Sequence, residues 1–221
     1  RKPVDKTVFA CNPQLVNAFY APTFNSINFP AAILQAPFFD AEADDAANYG
    51  AIGAVIGHEM SHGFDDQGCQ FDKDGNLNNW WTDEDKANYS QRTKVLADWF
   101  SAQEVQPGLK VNGEKTLGEN IGDNGGINVA FRALQNVMAN QPLPEKDGYS
   151  AAQRFFLSYA RIWASNVAPQ FVAYLVNSDV HSPNHLRVNA ALPHIDAWYE
   201  AWGIQPTDRL YLAPDKRAHI W

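Results

Sequence analysis

A short run near residue 60 constrains this chain more than any other part of its sequence. Residues 57–66 read GHEMSHGFDD, which places His58 and His62 four residues apart with Glu59 between them. The preceding residues are small or apolar and predict a mostly buried helix over 46–63. Because residues four apart share one helix face, both imidazoles can bind one zinc ion, with Glu59 beside it as general base.

An isolated H-E-x-x-H is also compatible with two structural histidines, so a third ligand has to decide between these alternatives. A catalytic zinc ion takes three protein ligands and keeps one open position. A histidine six residues after His62 would be one solution, but Gly68 occupies that position. The segment TLGENIGD offers the other solution, a glutamate from a later helix. We therefore predict Glu119 as a zinc ligand and Asp123 as the carboxylate that orients a ligand histidine.

Three more residues extend the expected site. Asp66 follows His62 by four residues, and we expect it to hold that histidine from behind. The segment VHSPNHLRV contains His181 and Arg187, which can donate hydrogen bonds to a substrate oxygen near the metal. Taken alone, a loop histidine and a neighbouring arginine are more often solvated surface residues. Their assignment therefore depends on the rest of the site.

The remaining pattern predicts a mainly α-helical chain with a small β-sheet at its front, an α+β fold. Segments 15–20 and 24–30 are typical of short strands, and 72–79 of a turn. Residues 1–221 contain no linker or repeat, which predicts a single domain. After the helix at 46–63, further helices are predicted over 82–103, 117–139, 150–165, 170–177, 184–191 and 194–202.

Composition excludes several classes of partner. Acidic residues number 25 against 17 basic ones, for a formal charge of −8. This balance argues against nucleic acid or an anionic membrane as the main partner, because binding to phosphates requires a basic face. No apolar run reaches the length of a membrane span, so we expect no membrane segment in this chain. Cys11 and Cys69 form no disulfide framework and are expected to be free thiols.

Four motifs resemble those of a known family, in the same order and at similar spacing. They read VNAFY, GAIGAVIGHEMSHGFDD, TLGENIGDNGG and DVHSPNHLRV, and the resemblance extends from about Val16 to Trp221. The chain is similar to the neprilysin family of zinc metallopeptidases (peptidase family M13), which includes bacterial oligopeptidases of the PepO type. The resemblance implies a thermolysin-like (gluzincin) catalytic domain with one Zn²⁺ ion. It also implies hydrolysis of internal peptide bonds in oligopeptides, preferably before a bulky hydrophobic residue.

The resemblance implies roles for the individual residues around the metal. His58, His62 and Glu119 match the zinc ligands of the family, and Glu59 matches its general base. Asp123 matches the aspartate that orients the first ligand histidine. These roles agree with those predicted from spacing and chemistry alone.

The resemblance also implies how a peptide is held. His181 matches the histidine that steadies the tetrahedral oxyanion, and Arg187 matches the arginine that hydrogen-bonds to the substrate backbone. An edge-strand segment binds the peptide main chain by β-augmentation, and it corresponds here to Asn17 and Ala18. Four residues match the walls of the hydrophobic pocket for the residue after the scissile bond: Phe39, Val55, Ile162 and Trp163.

The family pattern bears on partners and location. Ala164 and Ala218 stand where animal members carry cysteines, which favours a bacterial-type member. Family chains are several times longer, and a helical lid domain absent from residues 1–221 precedes their catalytic domain. We therefore expect a companion lid domain or chain besides peptide substrates. A periplasmic or otherwise extracytoplasmic location is expected rather than a cytoplasmic one.

A second function remains open from the sequence. Without its companion domain, the chain can act as a zinc-binding fragment or a pseudo-enzyme that serves as an interaction module. The retained general base Glu59 argues against a degenerate pseudo-enzyme. Cleavage of short apolar peptides that a chelator abolishes would separate the two alternatives.

Overall fold

The expected mainly helical architecture is confirmed, and the β-strands of the described residues form two short hairpins. The computed structural model describes residues 5, 7–9 and 11–220. The strands are β1 (Phe19–Ala21), β2 (Ser26–Asn28), β3 (Glu104–Gln106) and β4 (Leu109–Lys110). The helices are α1 (Asp45–Asn48), α2 (Ala54–Ser61), α3 (Asp83–Ser101), α4 (Leu117–Asn140), α5 (Ala151–Ile162), α6 (Pro169–Ser178), α7 (Asn184–Asn189) and α8 (Asp196–Trp202). Short 3₁₀ turns lie at Ala31–Ile33, His62–Phe64, Gly68–Gln70, Leu192–His194 and Pro214–Lys216.

The front hairpin pairs β1 with β2 in antiparallel register, with Phe19 opposite Asn28. Both strands are shorter than predicted. Leu15 and Val16 are exposed, and the ladder begins after them, at Phe19. The second hairpin, β3–β4, follows α3, and Gly108 makes its turn with a φ of +77°.

The helical segment that carries His58 and His62 forms over the predicted residues 46–63. It runs from α1 through a π-helical segment at Tyr49–Gly53 into α2, and a 3₁₀ turn follows at once. The backbone of α2 packs directly on that of α4. A Cβ atom on Gly57 would lie 2.9 Å from Gly126 Cα, and one on Gly126 would lie 2.5 Å from the Ala54 carbonyl oxygen. Glycine at this crossing therefore brings the two helices close enough for their side chains to share one site.

The remaining elements support this pair. The rings of Phe131, Phe155 and Phe156 pack together between α4 and α5, with centroids 5.1–5.3 Å apart. The predicted helix starts at Thr82 and Ser150 both carry capping boxes, although α3 and α5 end two to three residues earlier than predicted. None of the helices in the described ranges combines the length and hydropathy needed to cross a membrane. Cys11 and Cys69 are free thiols.

Candidate metal centre

Three side chains that are predicted as zinc ligands meet at one point between α2 and α4. The Nε2 atoms of His58 and His62 are 3.0 Å apart. Oε2 of Glu119 lies 3.2 Å from the first and 3.6 Å from the second of these nitrogens. Close packing of the two helices makes this possible. A Cβ atom on Gly122, one turn after Gly118, would lie 2.8 Å from the His58 ring.

The chemistry of this cluster fits a cation. His58 Nδ1 lies 3.0 Å from Oδ1 of Asp123, and His62 Nδ1 lies 2.6 Å from Oδ2 of Asp65. Each carboxylate accepts the proton on Nδ1, which leaves the Nε2 lone pairs free. Two nitrogen lone pairs and a carboxylate oxygen of Glu119 then converge. Such a donor set is the one that tetrahedral zinc prefers in catalytic sites.

The prediction that Asp66 holds His62 is wrong, because Asp65 makes this contact. Helix α2 ends at Ser61, and a 3₁₀ turn starts at His62. Since this turn has three residues per revolution, the residue three positions on shares the face of His62. Asp65 also accepts hydrogen bonds from the backbone N–H groups of Gln67 and Gly68. Asp66 instead accepts from the Gln67 side chain, and its pKa is raised, chiefly by burial.

Asp123 links His58 to a buried arginine. Nε of Arg187 lies 2.8 Å from one Asp123 oxygen, and Nη2 lies 2.7 Å from the other. The guanidinium also stacks at 3.7 Å on the ring of Trp163. With no cation bound, burial disfavours a charged His58, but the hydrogen bonds with Asp123 and Glu119 outweigh it and raise the pKa of His58 to about 9. The structure thus places Arg187 behind a ligand histidine as well as in the wall of the cleft.

Glu59 lies on α2 between the two ligand histidines and is 5% exposed. Burial raises the pKa of its carboxyl, and His58 and His62 offset part of this effect. Its side chain lines a cleft of about 770 Å³ that also contains the three converging ligands. A carboxylate with a raised pKa beside a cation site is well suited to accept a proton.

His181 reaches the cluster from the segment between α6 and α7. Its Nε2 lies 3.1 Å from Oε2 of Glu119, and 44% of the side chain is exposed. Oδ1 of Asp179 lies 2.8 Å from His181 Nδ1 and accepts the His181 backbone N–H at 3.0 Å. The sequence prediction missed Asp179, although an aspartate two residues before a functional histidine is a recognisable turn signal.

The predicted substrate residues divide into two groups. Asn17, Ala18, Val55 and Trp163 all line the cleft, as do His181 and Arg187. Phe39 and Ile162 do not line the cleft, and their assignment to the hydrophobic pocket stays a prediction. Phe39 is 38% exposed, whereas Ile162 is 9% exposed and packs in the core. One step along a helix turns a side chain by about 100°, which carries Ile162 away from the face of Tyr159 and Trp163. Four further apolar residues line the cleft: Ile33, Phe38, Ala54 and Tyr159.

Comparison with known proteins agrees with this geometry. Residues 17–218 match the model of peptidase family M13. The chain is 42% identical over 218 residues to a neutral endopeptidase of Lactococcus lactis, an alignment that covers 99% of this chain and 33% of that protein. It is 38% identical over 227 residues to neprilysin of Homo sapiens, which covers 100% of this chain and 30% of neprilysin.

Solved structures show the same fold. The zinc metalloprotease Zmp1 of Mycobacterium tuberculosis, in complex with an inhibitor, superposes with a TM-score of 0.96 at 46% identity. PepO of Lactobacillus rhamnosis superposes with a TM-score of 0.89 at 41% identity. These matches cover 99–100% of this chain but about a third of either neighbour, 34% and 33%. The expected α+β metallopeptidase fold is thereby confirmed, and the chain belongs to peptidase family M13.

Proposed function

We propose that this chain is the catalytic part of a zinc-dependent endopeptidase that hydrolyses internal peptide bonds of oligopeptides. The observation that carries the proposal is the convergence of His58, His62 and Glu119 beside Glu59 in an open cleft. Relatives of the family named neutral endopeptidase, neprilysin and zinc metalloprotease support it.

The proposed mechanism assigns one task to each group. A single zinc ion held by His58, His62 and Glu119 would polarise the substrate carbonyl and lower the pKa of a bound water to about 7. Glu59 accepts the proton from the attacking water and returns it to the leaving amine, for which its raised pKa is suited. His181 donates a hydrogen bond to the oxyanion that develops on the carbonyl oxygen.

Two features of the cleft suggest how a peptide is oriented. Among the residues that the structure describes, strand β1 pairs with β2 on one side only, and Asn17 and Ala18 lead into it along the cleft. A substrate in extended conformation would add to this free edge through main-chain hydrogen bonds. Val55 and Trp163, together with the newly found apolar walls, favour a bulky hydrophobic residue after the scissile bond.

The chain spans about a third of the length of the curated relatives that it matches. We propose that the remaining part of such a protein, or a companion chain, covers the cleft and helps to position the peptide. The effect of such a cover would be the loss of bulk water around the reacting groups. A fragment that binds zinc without cleaving peptides is the alternative function, and it predicts no turnover in this chain alone.

The substitution Glu59→Gln tests the proposal. It keeps the size of the side chain but removes the proton acceptor, so turnover should fall by about 10²–10⁴-fold while zinc remains bound. Peptide cleavage and zinc content are measured on the same samples, for the full-length protein and for residues 1–221. Glu145→Gln, the same chemical change at an exposed position, is the matched control. Undiminished cleavage by Glu59→Gln, or wild-type cleavage that a chelator does not stop, would contradict the mechanism.

A further inference from the structure

The side chain of His181 is only partly enclosed, yet its neighbour is among the most buried polar residues of the molecule. His181 has 44% of its side chain exposed, whereas Ser182 is 2% exposed. Asp179 holds the ring at Nδ1, but it belongs to the same segment, so the position of the ring depends on how that segment is anchored to the rest of the molecule. The buried neighbour is therefore the candidate for that anchor.

Ser182 makes one long-range hydrogen bond. Its hydroxyl donates to Oδ1 of Asn120 over 2.8 Å, and the two residues are 62 positions apart in the chain. Asn120 lies on α4, is 1% exposed and directly follows the ligand Glu119. The bond thus joins the residue after His181 to the residue after Glu119.

The acceptor is itself held in place. The amide of Asn120 donates from Nδ2 to Oγ1 of Thr116 at 2.9 Å, which turns its oxygen towards Ser182. Thr116 in turn donates to the carbonyl oxygen of Asn112. Buried polar groups whose donors and acceptors are all used define one orientation, because any other leaves a group unpaired.

We propose that the Ser182–Asn120 hydrogen bond positions His181 relative to Glu119, and that Ser182 and Asn120 are therefore positioning residues for catalysis. This inference rests on the proposed endopeptidase function. Loss of the bond lets the 179–182 segment move, so that the His181 imidazole no longer meets the oxyanion at hydrogen-bonding distance. The metal ligands lie on α2, on the 3₁₀ turn that follows it and on α4, so zinc binding does not depend on the bond.

Ser182→Ala in the zinc-loaded, full-length protein tests the proposal. We expect kcat to fall about tenfold to 100-fold, with KM and zinc affinity within about twofold of wild type. Ser182→Cys keeps a weak hydrogen-bond donor, so its kcat should lie between those of wild type and Ser182→Ala. Ser178→Ala is the matched control, because that hydroxyl donates to the Tyr174 carbonyl oxygen within its own helix. A larger KM with unchanged kcat would contradict the positioning role.

A double-variant cycle separates positioning from a general structural effect. In a His181→Gln background, Ser182→Ala should cost little further activity, since the group that it positions is already gone. An equal loss in both backgrounds would overturn the proposal.

Hydrogen exchange tests whether Ser182 anchors this segment, and it does not depend on peptide cleavage. Amides of residues 179–182 should exchange faster in Ser182→Ala, while those of α4 keep their protection. Unchanged exchange would show that the bond holds nothing in place. If wild type shows no chelator-sensitive cleavage, the proposed function fails, and this measurement still shows whether the segment is anchored.

Discussion

Two buried histidines of this molecule have opposite acid–base character. His58 is 7% exposed and faces Asp123 and Glu119, and its pKa is raised to about 9. His194 is 2% exposed, and burial, helped by the nearby His219 and Arg217, lowers its pKa to about 4. Its Nδ1 accepts the backbone N–H of Ala218. Burial alone therefore makes a neutral, structural histidine, and carboxylate partners are what distinguish the metal-binding one.

Proximity in sequence does not supply those partners. Asp196 lies two residues from His194, yet its carboxylate pairs with Arg217 at 2.6 Å. Asp123 lies 65 residues from His58 and reaches it because glycines allow α2 and α4 to touch. The surroundings of His58 and His194 are thus decided by tertiary packing rather than by local sequence.

Removing the Asp123 carboxylate, which faces His58, should have the largest effect. Asp123→Ala leaves Arg187 buried without its counter-charge, which costs about 3–5 kcal/mol of unfolding free energy. Zinc affinity should fall as well, by about 10–100-fold, because His58 loses its partner. Denaturant unfolding and zinc titration measure the two effects. Asp196→Ala removes a 57% exposed partner of Arg217 and should cost less than about 1 kcal/mol. Equal costs at both sites would contradict the comparison.

The second prediction concerns pH and the structural histidine. His194 takes up its proton near pH 6.5 in the unfolded chain but only near pH 4 in the folded one. The unfolded state therefore binds more protons in this window, and stability should fall by about 3 kcal/mol as pH drops from 6.5 to 4. His194→Asn keeps an acceptor for the Ala218 N–H and should remove this part of the slope. Unfolding free energies at several pH values test it, and identical slopes in variant and wild type would refute it.

A third experiment probes the contact between helices that makes His58 different. Gly122→Ala would place a methyl group 2.8 Å from the His58 ring, which should cost about 1–3 kcal/mol in stability and weaken zinc binding. Gly53→Ala is the control, because its Cβ would meet only ordinary contacts at 3.5–3.7 Å. That variant should stay within about 1 kcal/mol of wild type. Tight zinc binding by Gly122→Ala would show that the crossing tolerates more volume than its geometry indicates.

The smallest effect is expected from the two neighbouring aspartates after His62. Asp65→Asn removes the charge that faces His62 Nδ1 and should weaken zinc binding about 10-fold, at the lower end of such losses. Asp66→Asn changes a carboxylate that bonds to Gln67 instead and should leave zinc affinity nearly unchanged. Zinc titrations of both variants against a competing chelator compare them directly. The reverse order of effects would restore Asp66 as the partner of His62.

Several features of the site were predictable from local patterns. The histidine spacing on a helix, the glutamate ligand with Asp123 one turn on, and both capping boxes follow from short-range rules that the structure obeys. Those rules failed where the helix changes its pitch. The 3₁₀ turn at His62 makes Asp65 rather than Asp66 the partner of this histidine.

The sequence by itself determined which side chains are able to hold a metal ion, because residue type and helical spacing are local properties. Only the tertiary structure decided how those side chains are supported. The pairing of Asp123 with Arg187, the anchor from Ser182 to Asn120 and the low pKa of His194 all join residues far apart in the chain. They depend on which helix faces meet, and that is set by the close approach of backbones at glycine and by the packing of the shared core.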